Sequence, residues 1–169
     1  MNTSKCLGVL SNTQGGHTAA VSCMVNIPPP TPNPGAGTTS PGATGTGFMA
    51  SGAMDGEVKL WQYSGEVAWS GTHSAPGSGI GVTSLCVFQD TLGGQQNLLI
   101  GLTDGRILAR SCVTMNLMFS LDQNTLAPNK THVETIWSMA SLGHSCFVSS
   151  DNSGRVMVWK AYQPLIDNR

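Results

Sequence analysis

Charge is scarce in this chain: of 169 residues, eight are Lys or Arg and nine are Asp or Glu, for a formal net charge of −1. No basic stripe is present to track a phosphate backbone, which argues against nucleic-acid contact through this segment. Long apolar runs are missing as well. Stretches such as Val82 to Phe88 and Asn97 to Ile100 stop well short of the roughly 20 residues that a membrane-spanning helix needs, so no membrane partner is expected. Residues 1–10 hold one lysine and no extended apolar core, unlike a secretory signal. The five cysteines, Cys6, Cys23, Cys86, Cys112 and Cys146, are an odd number without a C-x-x-C pair. They read as reduced thiols of an intracellular protein, in the cytoplasm or nucleus, rather than as a disulfide framework or a metal site. Catalytic signatures are also absent: there is no G-x-S-x-G, no G-x-x-x-x-G-K-[ST] and no H-E-x-x-H. With so few charged groups to build an active site, the expectation is no enzyme, no catalytic residue, no cofactor and no metal.

Glycine and proline are what the chain has in quantity. Twenty-one Gly and nine Pro interrupt it too often for a long helix, so short strands are predicted. Apolar residues make up 40%, which fits one globular domain of this length. Three segments then align without gaps: Ala50 to Trp61 (ASGAMDGEVKLW), Leu99 to Arg110 (LIGLTDGRILAR) and Val148 to Trp159 (VSSDNSGRVMVW). Gly56, Gly105 and Gly154 share one column, each 49 residues after the one before. A fixed period of this kind marks a repeat architecture.

Each aligned segment is predicted to be a β-hairpin, in which a polar turn with a glycine at positive φ joins two short strands. The turns fall at Asp55-Gly56, Asp104-Gly105 and Ser153-Gly154. Alternation at Val58 and Leu60, and at Val156 and Val158, directs one face of the second strand toward a core. Upstream of two hairpins lies a further shared piece, His17 to Met24 (HTAAVSCM) and His132 to Met139 (HVETIWSM). In the middle unit Val82 to Leu85 supplies that strand, with His73 displaced upstream by a glycine-rich stretch. Residues 65–70 and 115–121 supply a fourth strand. The units are about 17–70, 73–121 and 132–160, and residues 5–10 take the place of the last strand of a preceding unit.

These features resemble the WD-repeat β-propellers, whose blades carry a Gly-His near the start and a tryptophan at the end of the third strand; here those are Gly16, His17 and Trp61. The resemblance implies an all-β fold, a partial propeller of about three four-stranded antiparallel blades. It also implies a buried hydrogen-bonded set of His, Ser or Thr, Asp and Trp in each blade. The first unit has all four as His17, Ser51, Asp55 and Trp61. The second keeps His73 and Asp104 but has Ile100 and Arg110 in the other columns. The third keeps His132, Ser149 and Trp159 but has Ser153 in the Asp column. The first set is therefore expected to be the only complete one. A narrower similarity, through Gly81 to Cys86 and Ser153 to Lys160, is to the C-terminal half of plant-type CCCH zinc-finger WD-repeat proteins.

Residues 28–47 (PPPTPNPGAGTTSPGATGTG) hold no charge and almost no large side chain, so burial cannot offset the entropy of ordering them and a disordered loop is expected. The recurring histidines fit a repeat-forming role better than metal ligation or acid–base chemistry. Asp55 and Asp104 fit turn formation, because an Asp side chain bonds the local backbone. Trp69 and Trp137 lie off the strand-closing column, to be buried between blades or to anchor a partner. The family's usual role implies a non-catalytic scaffold that binds other proteins within a complex. The alternative is the propeller portion of a nucleic-acid-associated regulator whose zinc-finger module lies upstream. Three blades fall short of the roughly four to eight that close a ring, so an open fan prone to self-association through its blade edges is also expected.

Overall fold

The computed structural model describes residues 9, 15–29, 47–74, 77–89, 95–124, 126, 130–143 and 145–160. Among the described residues, eleven strands make three antiparallel sheets. The first contains β1 (Val21–Ile27), β2 (Phe48–Ala53), β3 (Glu57–Gln62) and β4 (Val67–Thr72), in sequence order across the sheet. The second repeats this with β5 (Val82–Gln89), β6 (Gln96–Leu102), β7 (Ile107–Ser111) and β8 (Leu117–Leu121). The third has β9 (Ile136–Gly143), β10 (Cys146–Asp151) and β11 (Val156–Lys160). Of residues 5–10 only Val9 is described, and most of the 28–47 insert lies outside the described residues. The outer strands β4 and β8 begin two residues later than the sequence placed them, after turns at Gly65 and Met115 that both take positive φ.

All three predicted hairpins are present, as β2–β3, β6–β7 and β10–β11. Their turn glycines have φ of 78°, 83° and 83° at Gly56, Gly105 and Gly154, a region that a Cβ makes costly. An Asp carboxylate pins each turn by accepting backbone amides: Glu57 N to Asp55 at 2.9 Å, Arg106 N to Asp104 at 3.2 Å, and Ser153 N to Asp151 at 3.0 Å. In the third turn the pinning residue is therefore Asp151 and not a residue of the aligned Asp column.

The sheets stack through their inner strands, β5 against β1 and β2, and β9 against β5 and β6. Alternation supplies a separate apolar face for each neighbour. Ala50, Val58 and Leu60 of the first sheet meet Leu85, Leu98, Ile100 and Leu108 of the second. Cys86, Phe88, Leu99, Ile107 and Ala109 on the second sheet's other face meet Ile136, Met139 and Phe147 of the third. Fully burying one such side chain is worth about 1.5–3 kcal/mol, so these inter-sheet clusters hold the sheets together.

Two devices tighten each junction. Gly52 and Gly101 leave room for the next inner strand: a Cβ there would lie 2.4 Å from Val82 Cγ1 and 2.7 Å from Ile136 Cγ2. A β-bulge at the start of each inner strand turns a hydroxyl toward the following sheet. Ser22 Oγ donates to Val82 O, and Thr83 Oγ1 donates to Ile136 O at 2.5 Å.

Candidate functional site

In the third sheet, His132 Nε2 and Ser149 Oγ are 2.7 Å apart, and Trp159 Nε1 donates to the same hydroxyl at 2.6 Å. His132 Nδ1 lies 2.6 Å from Asp151 Oδ2. The set is sealed, with His132 and Ser149 each 1% exposed and Asp151 5%. This corrects the expectation that the third unit lacks its carboxylate. Asp151 stands two residues after Ser149, and two residues is one strand period, so both side chains point to the same face and reach one imidazole. Its other oxygen, Oδ1, accepts from Ser153 N, Ser153 Oγ and Arg155 N. Burial alone would raise the Asp151 carboxyl, but these bonds and the contact with His132 outweigh it and hold the group at about 2.

The first sheet repeats only part of this. His17 Nε2 and Trp61 Nε1 both lie 2.7 Å from Ser51 Oγ. His17 Nδ1, however, is 3.7 Å from Asp55 Oδ1, too far for a hydrogen bond, and it has no partner. Asp55 sits in the turn itself, and its oxygens are taken by Thr18 N, Thr18 Oγ1 and Glu57 N. The expected complete set of the first unit is thus one bond short, and the third unit has the full one. Burial lowers the His17 pKa, with Asp55 opposing. His17 Nδ1, Asp55 and Glu57 place three potential ligand atoms within 4.8 Å of one another. Asp55 and Glu57 are nonetheless already engaged, Glu57 by the buried Lys59 ammonium at 2.8 Å.

The second sheet does not bring its two predicted residues together. Asp104 pairs with Arg106 Nε at 2.6 Å, while His73 is buried with no partner for Nε2. Arg110, in the column of Trp61 and Trp159, lays its guanidinium 5.5 Å from the centre of the Trp69 ring. Trp69 is half-buried in the first inter-sheet cluster, whereas Trp137 is exposed on the outward face of the third sheet. Cys23, Cys86, Cys112 and Cys146 are free thiols. Burial raises the pKa of the first three, Cys112 to about 12, which keeps them unreactive.

Residues 4–62 match the WD domain, G-beta repeat family. The fold is similar to the β-propeller domain of Cps50 (Swd1) from Myceliophteria thermophila, with a TM-score of 0.50 and 16% identity over 70% of this chain. The fold of this chain is a partial β-propeller. The chain spans 33% of the length of that propeller domain. No curated protein matches it in sequence. The three sheets are its blades, and the His–Ser–Trp sets are the ties within blades one and three.

The most uneven part of this propeller is the outward face of blade three. Val58, Leu60, Ile107 and Ala109 are at most 4% exposed beneath the next blade, but their counterparts Val156 and Val158 are 69% and 70% exposed. Ser150 stands in the column of Gly52 and Gly101. In the bulge position of Ser22 and Thr83 stands Trp137, 61% exposed, its Nε1 donating to Asn152 Oδ1 at 3.0 Å. The sequence alone leaves both burial between blades and partner anchoring open for Trp137. Its column decides between them: aligning the inner strands as well as the hairpins places a Trp where two hydroxyl residues reach the next blade.

Proposed function

We propose that this chain is a non-catalytic scaffold that holds another protein on the outward face of blade three, as part of an intracellular multi-protein complex. WD-repeat propellers generally bind other proteins, which supports the coarse reading. The observation that carries the finer one is the chemistry of that face. Its Val156 and Val158, in the columns of buried inter-blade residues, are both more than half exposed. Yet it lacks the glycine gap and the donating hydroxyl that seat one blade on the next. Contiguous exposed apolar surface marks interaction sites, and a central tryptophan is a frequent energetic anchor. Ser150, with its Cβ in the place where Gly52 and Gly101 meet a branched side chain, disfavours a blade in the usual fit and favours a partner of different shape. A photo-crosslinking amino acid at Val156 of the full chain, in its native cells, tests this. Crosslinks to a second polypeptide that vanish with Trp137→Asp are expected. Crosslinks confined to the chain's own residues would overturn the reading.

A further inference from the structure

Between the outer strands of blades one and two the sheets splay apart and leave an open cleft of about 530 Å³, lined among others by His73, Ser74, Ser78, Arg106, Arg110 and Leu108. The strand-closing residue of blade two, Arg110, stands on its wall. In blade three the equivalent Trp159 stacks on its cross-strand neighbour Phe147, with centroids 6.0 Å apart and planes at 17°, and packs against the second inter-sheet cluster. Arg110 instead lies flat on Trp69 and donates from Nη1 to Met115 O at 2.5 Å.

Two nitrogens on its walls are left over. Arg110 Nε and His73 Nε2 are both buried without a hydrogen-bond partner, and His73 as a residue is 9% exposed. Leaving a buried polar group unpaired costs about 1–3 kcal/mol, more for a charged one, so two on one cleft call for an explanation. Around them stand a second guanidinium, Arg106, anchored by Asp104, and the hydroxyls of Ser74 and Ser78. No carboxylate lines the cleft among the described residues.

We propose that this cleft binds a phosphate group, with Arg106, Arg110 and His73 Nε2 as its principal donors. Two guanidiniums and an imidazole offer more donors than one carboxylate can accept, whereas a phosphate brings three strong acceptor oxygens and close to two negative charges. Arginine suits the role because its planar fork matches phosphate geometry. The site is separate from the blade-three face and does not depend on the scaffold reading. The group could arrive on a phosphorylated side chain of a partner or as a small phosphate, and both present the same oxygens.

The test is calorimetric titration of the full chain at constant ionic strength with inorganic phosphate, O-phosphoserine and acetate, with the His73 C2–H resonance followed in parallel. Saturable phosphate binding that also shifts His73 is expected, with affinity down at least about tenfold in Arg110→Gln and partly kept in Arg110→Lys. If Arg110→Gln does not fold, Arg106→Gln and His73→Gln take its place with the same expected loss. Tighter binding of O-phosphoserine assigns the group to a partner's side chain, and equal binding assigns it to small phosphates. Absence of saturation, equal affinity in the variants, or acetate binding as well as phosphate would overturn the proposal.

Discussion

Blades one and three use the same three residue types, His, Ser and Trp, and differ in where the carboxylate sits. In blade one Asp55 lies in the turn, serves the backbone and stops 3.7 Å short of His17. In blade three Asp151 ends the strand, pins the turn with one oxygen and holds His132 with the other at 2.6 Å. The carboxylate closes the set when it shares a strand face with the serine, and fails to when it lies beyond the strand end. Burial follows: the Asp151 side chain is 0% exposed and that of Asp55 15%.

The sharpest way to break this comparison is to remove both carboxylates in turn. Asp151→Ala leaves a sealed imidazole unpaired and unpins a turn, and is expected to cost about 3–4 kcal/mol. Asp55→Ala removes only part-exposed bonds to Thr18 and Glu57, and should cost about 1 kcal/mol. Equilibrium denaturation of the two variants reads the difference. Equal costs would mean that carboxylate position does not matter.

Acid separates the blades in a second way. Asp151 sits at about 2 in the folded protein against an ordinary 3.8. Its stabilising effect is complete above 3.8 and is lost as pH falls toward 2, amounting to about 2 kcal/mol. His73, in blade two, has its pKa lowered from 6.5 to about 4 by burial, with Arg110 and Arg106 adding to it. The unfolded chain therefore takes up that proton first, so stability should decline as pH drops from 6.5 toward 4, by up to about 3 kcal/mol. Denaturation midpoints across the range should show two separate falls, and His73→Gln should shrink only the upper one, to which His17, its pKa also lowered by burial, contributes the remainder. If saturating phosphate flattened that upper fall, the cleft and the titration would be the same site.

Much of this was legible in the sequence. The 49-residue spacing of Gly56, Gly105 and Gly154 located three hairpins, because a turn that needs positive φ leaves a glycine behind. His17, Ser51 and Trp61, and likewise His132, Ser149 and Trp159, could be assigned because each occupies a fixed register on a strand. Asp151 was missed because gap-free columns treat a turn and a strand end as interchangeable, while the strand period makes residues two apart equivalent in direction. His73 and Asp104 were paired by column but parted in space, since Arg106 offers Asp104 a cation at closer range. Nothing in the sequence indicated the cleft. It depends on how far two sheets splay, and that is set by packing at their inner strands.

Covered and uncovered turns give a smaller contrast. Gly56 lies under the entry segment of blade two, where a Cβ would stand 2.2 Å from Ser74 Oγ and 2.7 Å from Ile80 O, while Gly154 has nothing within 4 Å. Both have positive φ, so alanine strains each by about 1 kcal/mol. Gly56→Ala must in addition displace a backbone carbonyl and should cost about 2 kcal/mol or more. Thermal unfolding that moves equally for both would show that the entry segment yields freely.

The smallest expected effect comes from transplanting the blade-three arrangement into blade one with Ala53→Asp and Asp55→Ser. Ala53 pairs with Val21 as Asp151 pairs with Ile136, and it follows Ser51 by the same two residues, so an aspartate there shares the serine's face. From that place one oxygen can reach His17 Nδ1, which has no partner. The other can take the turn amides, with the serine introduced at position 55 in the role of Ser153. Against this gain stands crowding, because Ala53 is 0% exposed and extra atoms in a packed site cost about 1–3 kcal/mol. The two terms nearly cancel, so the double variant should lie within about 1 kcal/mol of the parent and above Asp55→Ser alone. If the double variant is less stable than Asp55→Ser, local packing and not strand register decides which carboxylate can close the set.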